Sequence, residues 1–323
     1  MDEVKKIVSV LMSTYNHEKY IAQAIESVVS KKTNFEFELV IGEDCSADGT
    51  KKIIEEYALK YPKLIRPVFI KENVGALRNI YEFALPRCEG KYIACLEGDD
   101  FWTNDSKLQK QVDFLEANPE CGLTHADVNH YFEDGKKLMI AVNKNSNKTV
   151  PEGDVFEHLI KPEPFFIKTA TTCFRKELLV KYFDYELAIR ENWPLADLPL
   201  WMDISKHSKA HYFDEVFATY RLLNESASRT KSPQKHYQYV KDLYKIKILY
   251  LEKYKVDFSK VKLIKEKYYR TLLNYSMKVN DMDDFQEALT YLNSNKMKLG
   301  LKEKILVAIE FFKLNSLISG FYK

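Results

Sequence analysis

The chain has 323 residues, 46% of them hydrophobic, 13% aromatic and 30% charged, which excludes a mainly disordered polymer and fits one large domain or two smaller ones. Ten glycines and ten prolines exclude collagen-like or low-complexity sequence. The net charge of +2 is uneven, because residues 231–323 carry 19 Lys and Arg against 10 Asp and Glu, leaving an acidic front and a basic tail region.

In chain order, Ile7–Met12 (IVSVLM) is a continuous apolar, β-branched run and predicts a strand. Tyr20–Ser30 sets Ile21, Ala24, Ile25 and Val28 at helical spacing. Phe37–Ile41 predicts a second strand, Asp48-Gly49 a turn, and Thr50–Tyr61 a helix ended by Pro62. Ile65–Ile70 predicts a third strand, Ala76–Leu85 a helix stopped by Pro86, and Tyr92–Leu96 a fourth strand. A helix over about Ser106–Ala117 and a strand at Cys121–Val128 follow. This β-α-β-α order implies an α/β fold, a mostly parallel sheet flanked by helices. Residues 131–150 read as a hairpin and an irregular connection. Residues 151–230 mix short elements: Thr171–Arg175, a helix near Leu198–His207, and Glu215–Tyr220. From Pro233 the pattern is helical, including Tyr237–Tyr254 and Val261–Val279. Residues 1–230 are therefore expected to form the α/β part and 231–323 a C-terminal helical region.

Ligands of open parallel sheets lie outside the carboxyl ends of the strands. The four strand ends here are followed by Ser13-Thr14-Tyr15-Asn16, by Glu43-Asp44 through Asp48-Gly49, by Asn73-Val74-Gly75, and by Glu97-Gly98-Asp99-Asp100. One edge then collects Asp44, Asp48, Glu97, Asp99 and Asp100. Carboxylates that close repel one another unless a cation sits among them. Hard oxygen donors select Mg²⁺, Mn²⁺ or Ca²⁺ over zinc, and such an ion completes its shell with water and substrate phosphates. The edge therefore suits a nucleotide diphosphate. Singly, each piece has a plainer meaning: paired aspartates after a strand cap helices, and Asp48-Gly49 is a turn. Their joint placement carries the reading.

The succession VSVLMSTYN, LVIGEDCSADGT, ENVGALRN and YIACLEGDDFW resembles the family 2 glycosyltransferases of the GT-A fold, closely over residues 6–130 and more loosely over 165–230. The resemblance implies a nucleotide-sugar-binding half (1–130), an acceptor half (131–230), an inverting reaction and a Mg²⁺ or Mn²⁺ cofactor. It implies that Thr14 and Tyr15, with Asn16 beside them, line the nucleotide pocket. It puts Asp44 on the base, commonly uracil, which favours a UDP-sugar. Asn73, Gly75 and Arg78 would flank the nucleotide. Glu97-Gly98-Asp99 stands where the family has D-x-D, with Glu at its first position. Asp99 would then be the direct metal ligand, Glu97 would lie at the ribose or just behind the metal, and Asp100 would cap a helix or anchor the loop. Trp193-Pro194-Leu195-Ala196-Asp197-Leu198-Pro199 resembles the family's G-D-x-P-L stretch, which makes Asp197 the candidate base; on the residues alone Asp197 also reads as a helix cap. Thr219-Tyr220-Arg221 through Ser228 resembles Y-R-x-H-x-x-S-x-S. Arg221 there is a diphosphate contact or a structural ion-pair residue, and Leu223 replaces the usual histidine.

Trp193 or Trp201 could stack on sugar, Phe101 and Trp102 are expected to pack beneath the metal loop, and the seven histidines read as structural. The five scattered cysteines fit reduced thiols in the cytosol. No secretory leader or spanning stretch is read in the sequence. The terminal segment Leu301–Lys323 sets Ile305, Ile309, Phe312 and Leu317 near one face, interrupted by Lys302, Lys304 and Lys313. It could lie on the inner membrane face, matching a glycan or lipid-linked acceptor; packing on the catalytic part or on a second subunit is the plainer alternative. Nucleic-acid binding is not expected. Two other readings stay open: a catalytically silent sugar-nucleotide or glycan-binding subunit, kept alive by Glu97 and Leu223, and a nucleotidyltransferase, which would need a Gly-rich basic loop after the first strand.

Overall fold

The computed structural model describes residues 6–146, 149–161, 166–194, 197–223 and 230–310. Two units form, one from residues 1–159 and 163–224, the other from 160–162 and 225–323.

In the first unit the strands are β1 (Val8–Thr14), β2 (Phe37–Glu43), β3 (Ile65–Phe69), β4 (Tyr92–Glu97), β5 (Phe101–Trp102), β6 (Cys121–Phe132), β7 (Lys137–Met139), β8 (Cys173–Arg175) and β9 (Lys209–Leu222). Its helices are α1 (Ile21–Val29), α2 (Thr50–Lys60), α3 (Ala76–Arg78), α4 (Lys107–Ala117), α5 (Phe156–Leu159), α6 (Lys176–Tyr182), α7 (Tyr185–Arg190) and α8 (Asp197–His207). They surround a nine-stranded sheet of order β3-β2-β1-β4-β8-β6-β9-β5, with β7 paired to β6.

The β3-β2-β1-β4 half is parallel throughout, as the apolar runs imply. Val8, Val10 and Met12 of β1 and Leu39 and Ile41 of β2 are fully buried, which is why these strands read as unbroken hydrophobic sequence. Helix α1 covers this half with Ile21, Ala24, Ile25 and Val28; each large aliphatic side chain so buried contributes about 1.5–3 kcal/mol. The other half is mixed: β8 runs antiparallel between β4 and β6, and β9 runs parallel to β6. The strands expected at Cys121–Val128 and Glu215–Tyr220 extend to Phe132 and over Lys209–Leu222.

The helix expected over Ala76–Leu85 is instead three short pieces: α3, a π-helical stretch Asn79–Ala84, and a 3₁₀ turn Leu85–Arg87. Pro86 does not stop the run. It sits early in the 3₁₀ turn, where a missing N–H costs no hydrogen bond.

His125 of β6 is fully buried, and neither ring nitrogen has a hydrogen-bond partner among the described residues. Burial, with a smaller contribution from His211, pushes its pKa down to about 3. Below about pH 6.5 the unfolded imidazole takes up a proton that the folded one refuses until about pH 3, so stability is lost as pH falls through that window. Between pH 7.5 and 5 this residue should cost about 2 kcal/mol. Urea unfolding at both pH values should show a smaller acid loss in His125→Phe than in the wild type; equal losses would refute the assignment.

The second unit is built from α9 (Pro233–Lys253), α10 (Phe258–Val279) and α11 (Met282–Ser294), and residues 301–310 are also helical. Its core includes Tyr268, Leu272, Leu273, Phe285 and Leu292. Tyr237 donates to Asp284 Oδ2 (2.6 Å), which also pairs with Lys241. Leu301, Ile305 and Ile309 are exposed; Phe312, Lys313 and Leu317 of the expected stripe lie outside the described residues. Among the described residues no helix is long and apolar enough to cross a membrane.

Candidate active site

The parallel register brings the ends of β1, β2 and β4 level: Ser13 pairs with Gly42 and with Glu97. Beyond them the loops are stitched together. Asn16, at φ 56°, donates its backbone N–H to Ser46 Oγ (2.9 Å) and accepts from Ala47 N–H through Oδ1 (2.9 Å). Gly98 donates N–H to Ser13 O (2.9 Å). A Cβ on Gly98 would come within 2.6 Å of Thr14 Oγ1 and 2.8 Å of His17 Nδ1, so only glycine lets the Glu97-Gly98-Asp99 loop lie on the end of β1. Thr14 Oγ1 and His17 Nδ1 are 3.2 Å apart, and Tyr15 is 44% exposed beside them.

A cavity of about 460 Å³ opens at this edge. Gly75, Arg78, Glu97 and Asp197 all line it, and Trp193 and Trp201 contribute aromatic wall. Thr14, Tyr15, Asn16, Asp44, Asn73, Gly98, Asp99 and Arg221 are not among the residues that line it. Gly75 turns the chain at φ 85° to start α3, a backbone region that disfavours other residues. Arg78 is half-exposed and paired with Glu82 (2.8 Å).

Two of the expected ligand contacts also hold protein. Asp44 is 2% exposed, and its carboxylate accepts from Val74 N–H and Gly75 N–H, both at 2.9 Å. Asn73 Nδ2 donates to Asp44 O (3.2 Å). The Asp44 carboxylate thus clamps the 73–75 loop to the end of β2. Arg221 is likewise spent: Nε donates to Asp99 O (2.7 Å), Nη1 pairs with Glu133 (3.1 Å) and Nη2 donates to Gln23 (2.9 Å). Its backbone N–H donates to Asp100 Oδ1 (2.7 Å), and its guanidinium lies over the rings of Tyr20 and Phe101. The buried guanidinium thereby ties the acidic loop to Glu133 and Gln23.

The acids do crowd. Burial, then the charges of Asp99 and Asp197, push Glu97 up to about 8. Asp100 is raised well above the carboxylate range by burial, then by Asp99 and Glu97. Burial raises Asp197, opposed by hydrogen bonds from Thr169 and Leu198 and by the Lys168 charge. Burial lowers His17, opposed by Asp99 and Asp48. A cation would relieve this field. Among the described residues no three His, Cys, Asp or Glu side chains form a metal-holding group. Glu97, Asp99 and Asp100 offer only hard oxygen donors, the chemistry that Mg²⁺ or Mn²⁺ prefers over zinc.

Sequence reasoning missed His17, Lys168 and Thr169. His17 follows the Ser13–Asn16 stretch directly, a signal that was available. Lys168 and Thr169 carry none, since nothing in a Lys-Thr pair marks its approach to Asp197.

The Glycosyl transferase family 2 model matches residues 9–182. The chain belongs to this family. Among relatives, the putative teichuronic acid biosynthesis glycosyltransferase TuaG of Bacillus subtilis is 30% identical over 72% of this chain and 85% of its own. An uncharacterized protein of Mycobacterium tuberculosis is 40% identical over 40% of this chain, and the match spans only 37% of that relative. The S. aureus TarS 1–349 structure superposes with a TM-score of 0.58 at 20% identity, over 87% of this chain and 80% of that one. Its complex with UDP-GlcNAc gives 0.56 at 17% identity, over 91% and 93%. These likenesses establish the GT-A fold of this family 2 chain.

Proposed function

We propose that the chain is an inverting, metal-dependent glycosyltransferase moving a sugar from a nucleotide-diphosphate donor, a UDP-sugar first of all, to a hydroxyl of a glycan or lipid-linked acceptor in cell-surface polysaccharide synthesis. One observation carries this reading: Glu97 of the E-G-D loop and Asp197 line the same cavity and feel each other's charge. Asp99, whose charge acts on Glu97 and Asp100, would hold the Mg²⁺ or Mn²⁺ that steadies charge on the departing diphosphate. Thr14, Tyr15, Asn73, Gly75 and Arg78 would flank the nucleotide, Glu97 the ribose. Asp197 would take the acceptor proton as the acceptor oxygen bonds to the anomeric carbon and the bond to the diphosphate oxygen breaks. A single displacement inverts configuration. The UDP-GlcNAc, UDP and GDP-mannose held by structural neighbours agree with a nucleotide-sugar donor. The exposed Leu301, Ile305 and Ile309 stand in a lysine-rich region, which supports contact with the anionic inner face of the membrane.

A thermal-shift screen with Mn²⁺ and UDP-GlcNAc, UDP-glucose, UDP-galactose or GDP-mannose tests the donor. The right one should add about 2.7 kcal/mol of apparent stability at a hundredfold excess over Kd. NMR of the product should show the anomeric configuration opposite to the donor's. No stabilisation by any of the four, or a retained configuration, would overturn the proposal; tight binding without diphosphate release would instead indicate a silent binding subunit.

A further inference from the structure

The turn preceding β8 is tied down carbonyl by carbonyl. Lys168 O accepts from Thr171 N–H and Oγ1–H, both at 2.8 Å, and Thr169 O accepts from Thr172 N–H (3.0 Å) and Oγ1–H (2.8 Å). Ala170 O accepts from Trp102 Nε1 (2.8 Å), Thr171 O from Gln111 Nε2 (2.9 Å), and Thr172 O from Lys107 Nζ (3.2 Å). The three donors from outside the turn are buried, Lys107 and Gln111 completely. Lys107 Nζ also lies 4.1 Å from the centre of the Trp102 ring, and burial pushes its pKa down to about 7. Burying an amine, an amide and an indole N–H is costly unless each finds a partner, and a fully partnered network is rigid.

This fixed turn carries one hydroxyl to the candidate base: Thr169 Oγ1 donates to Asp197 Oδ2 at 3.0 Å, while Leu198 N–H donates to Oδ1 at 2.7 Å. With one bond on each oxygen, the carboxylate plane is set, and each oxygen keeps lone-pair capacity for an incoming proton. Trp102 begins the same network two residues after Asp100. Among the described residues, Lys168, Glu97 and Tyr81 are the charged or titratable groups within electrostatic reach of Asp197.

We infer that Thr169 is a positioning residue: its hydroxyl, mounted on the buried Trp102–Lys107–Gln111 platform, orients the Asp197 carboxylate and keeps it in register with the Glu97-Gly98-Asp99 loop. The inference rests on Asp197 being the base. Thr169→Val removes the hydroxyl at nearly constant shape, and Thr169→Ser retains it. With UDP-GlcNAc, UDP-glucose, UDP-galactose and GDP-mannose as donors, Thr169→Val should lower kcat about 10- to 100-fold with donor KM within about twofold, and Thr169→Ser should restore kcat. A second readout needs no turnover. In protein labelled with ¹³C at the aspartate carboxyls, the Asp197 signal is assigned by its loss in Asp197→Asn. Its titration midpoint should move up in Thr169→Val and stay in place in Thr169→Ser, because the hydroxyl bond favours the ionised form. An unmoved kcat or midpoint in Thr169→Val, or a loss that Thr169→Ser does not restore, overturns the inference while an inactive Asp197→Asn leaves the base reading standing. Turnover persisting in Asp197→Asn sinks the base reading itself, and the inference with it.

Discussion

Asp99→Ala should reduce turnover by about 10³-fold or more, the equivalent of about 4 kcal/mol of transition-state stabilisation. Asp99 sits on a loop held by Gly98 N–H on Ser13 O and by Arg221 on its own carbonyl, so its backbone is fixed while its carboxylate carries no hydrogen bond among the described residues. A carboxylate left in that state beside Glu97 and Asp100 is suited to a cation. The variant should also lose Mn²⁺-dependent tightening of UDP binding in calorimetry. The fold should survive, because removing one charge from the cluster lessens repulsion. Near-normal turnover without added metal would refute the role.

Asp197→Asn should lower kcat by about 10²–10⁴-fold, the range for loss of a general base. Donor KM and calorimetric UDP affinity should stay near wild type, because no reading of the site brings Asp197 to the nucleotide. Asparagine preserves the size of the side chain: its Oδ1 can still accept from Leu198 N–H, while its Nδ2 can donate to the Thr169 hydroxyl, which is free to turn and accept. A loss of donor binding equal to the loss of kcat would mean that the substitution had disturbed the cavity and not the proton transfer. In the wild type the raised pKa of Asp197 should appear as an acid limb in the kcat profile, displaced upward from that of an ordinary aspartate.

The parallel half of the sheet was legible because β1, β2 and β4 are buried on both faces and their residues show it. The mixed half was not. Strand β5 is two residues long, and β8 is three, too short for any periodicity, yet β8 joins the two halves. The acidic edge was legible from strand-end placement, and the family likeness put names to its residues. What could not be read was how the polar groups are spent. Asp44 meets amides 30 and 31 positions on, and Arg221 meets the Asp99 carbonyl 122 positions back. A side chain's partner at such separation is settled by the tertiary fold, and the motif looks the same whether the residue faces ligand or protein. Lys107 shows the same limit: nothing in the sequence of its helix marks it as fully buried.

The Asp44 clamp has a consequence for engineering. Since two amides of the 73–75 loop already rest on one carboxylate, that loop's shape is settled during folding, and a donor bound there as proposed would not need to organise it. Preference among donors should therefore be adjustable by exchanging side chains displayed on a ready-made frame, Arg78 and Tyr15 first, whereas replacing Asp44 would loosen the frame and weaken every donor alike.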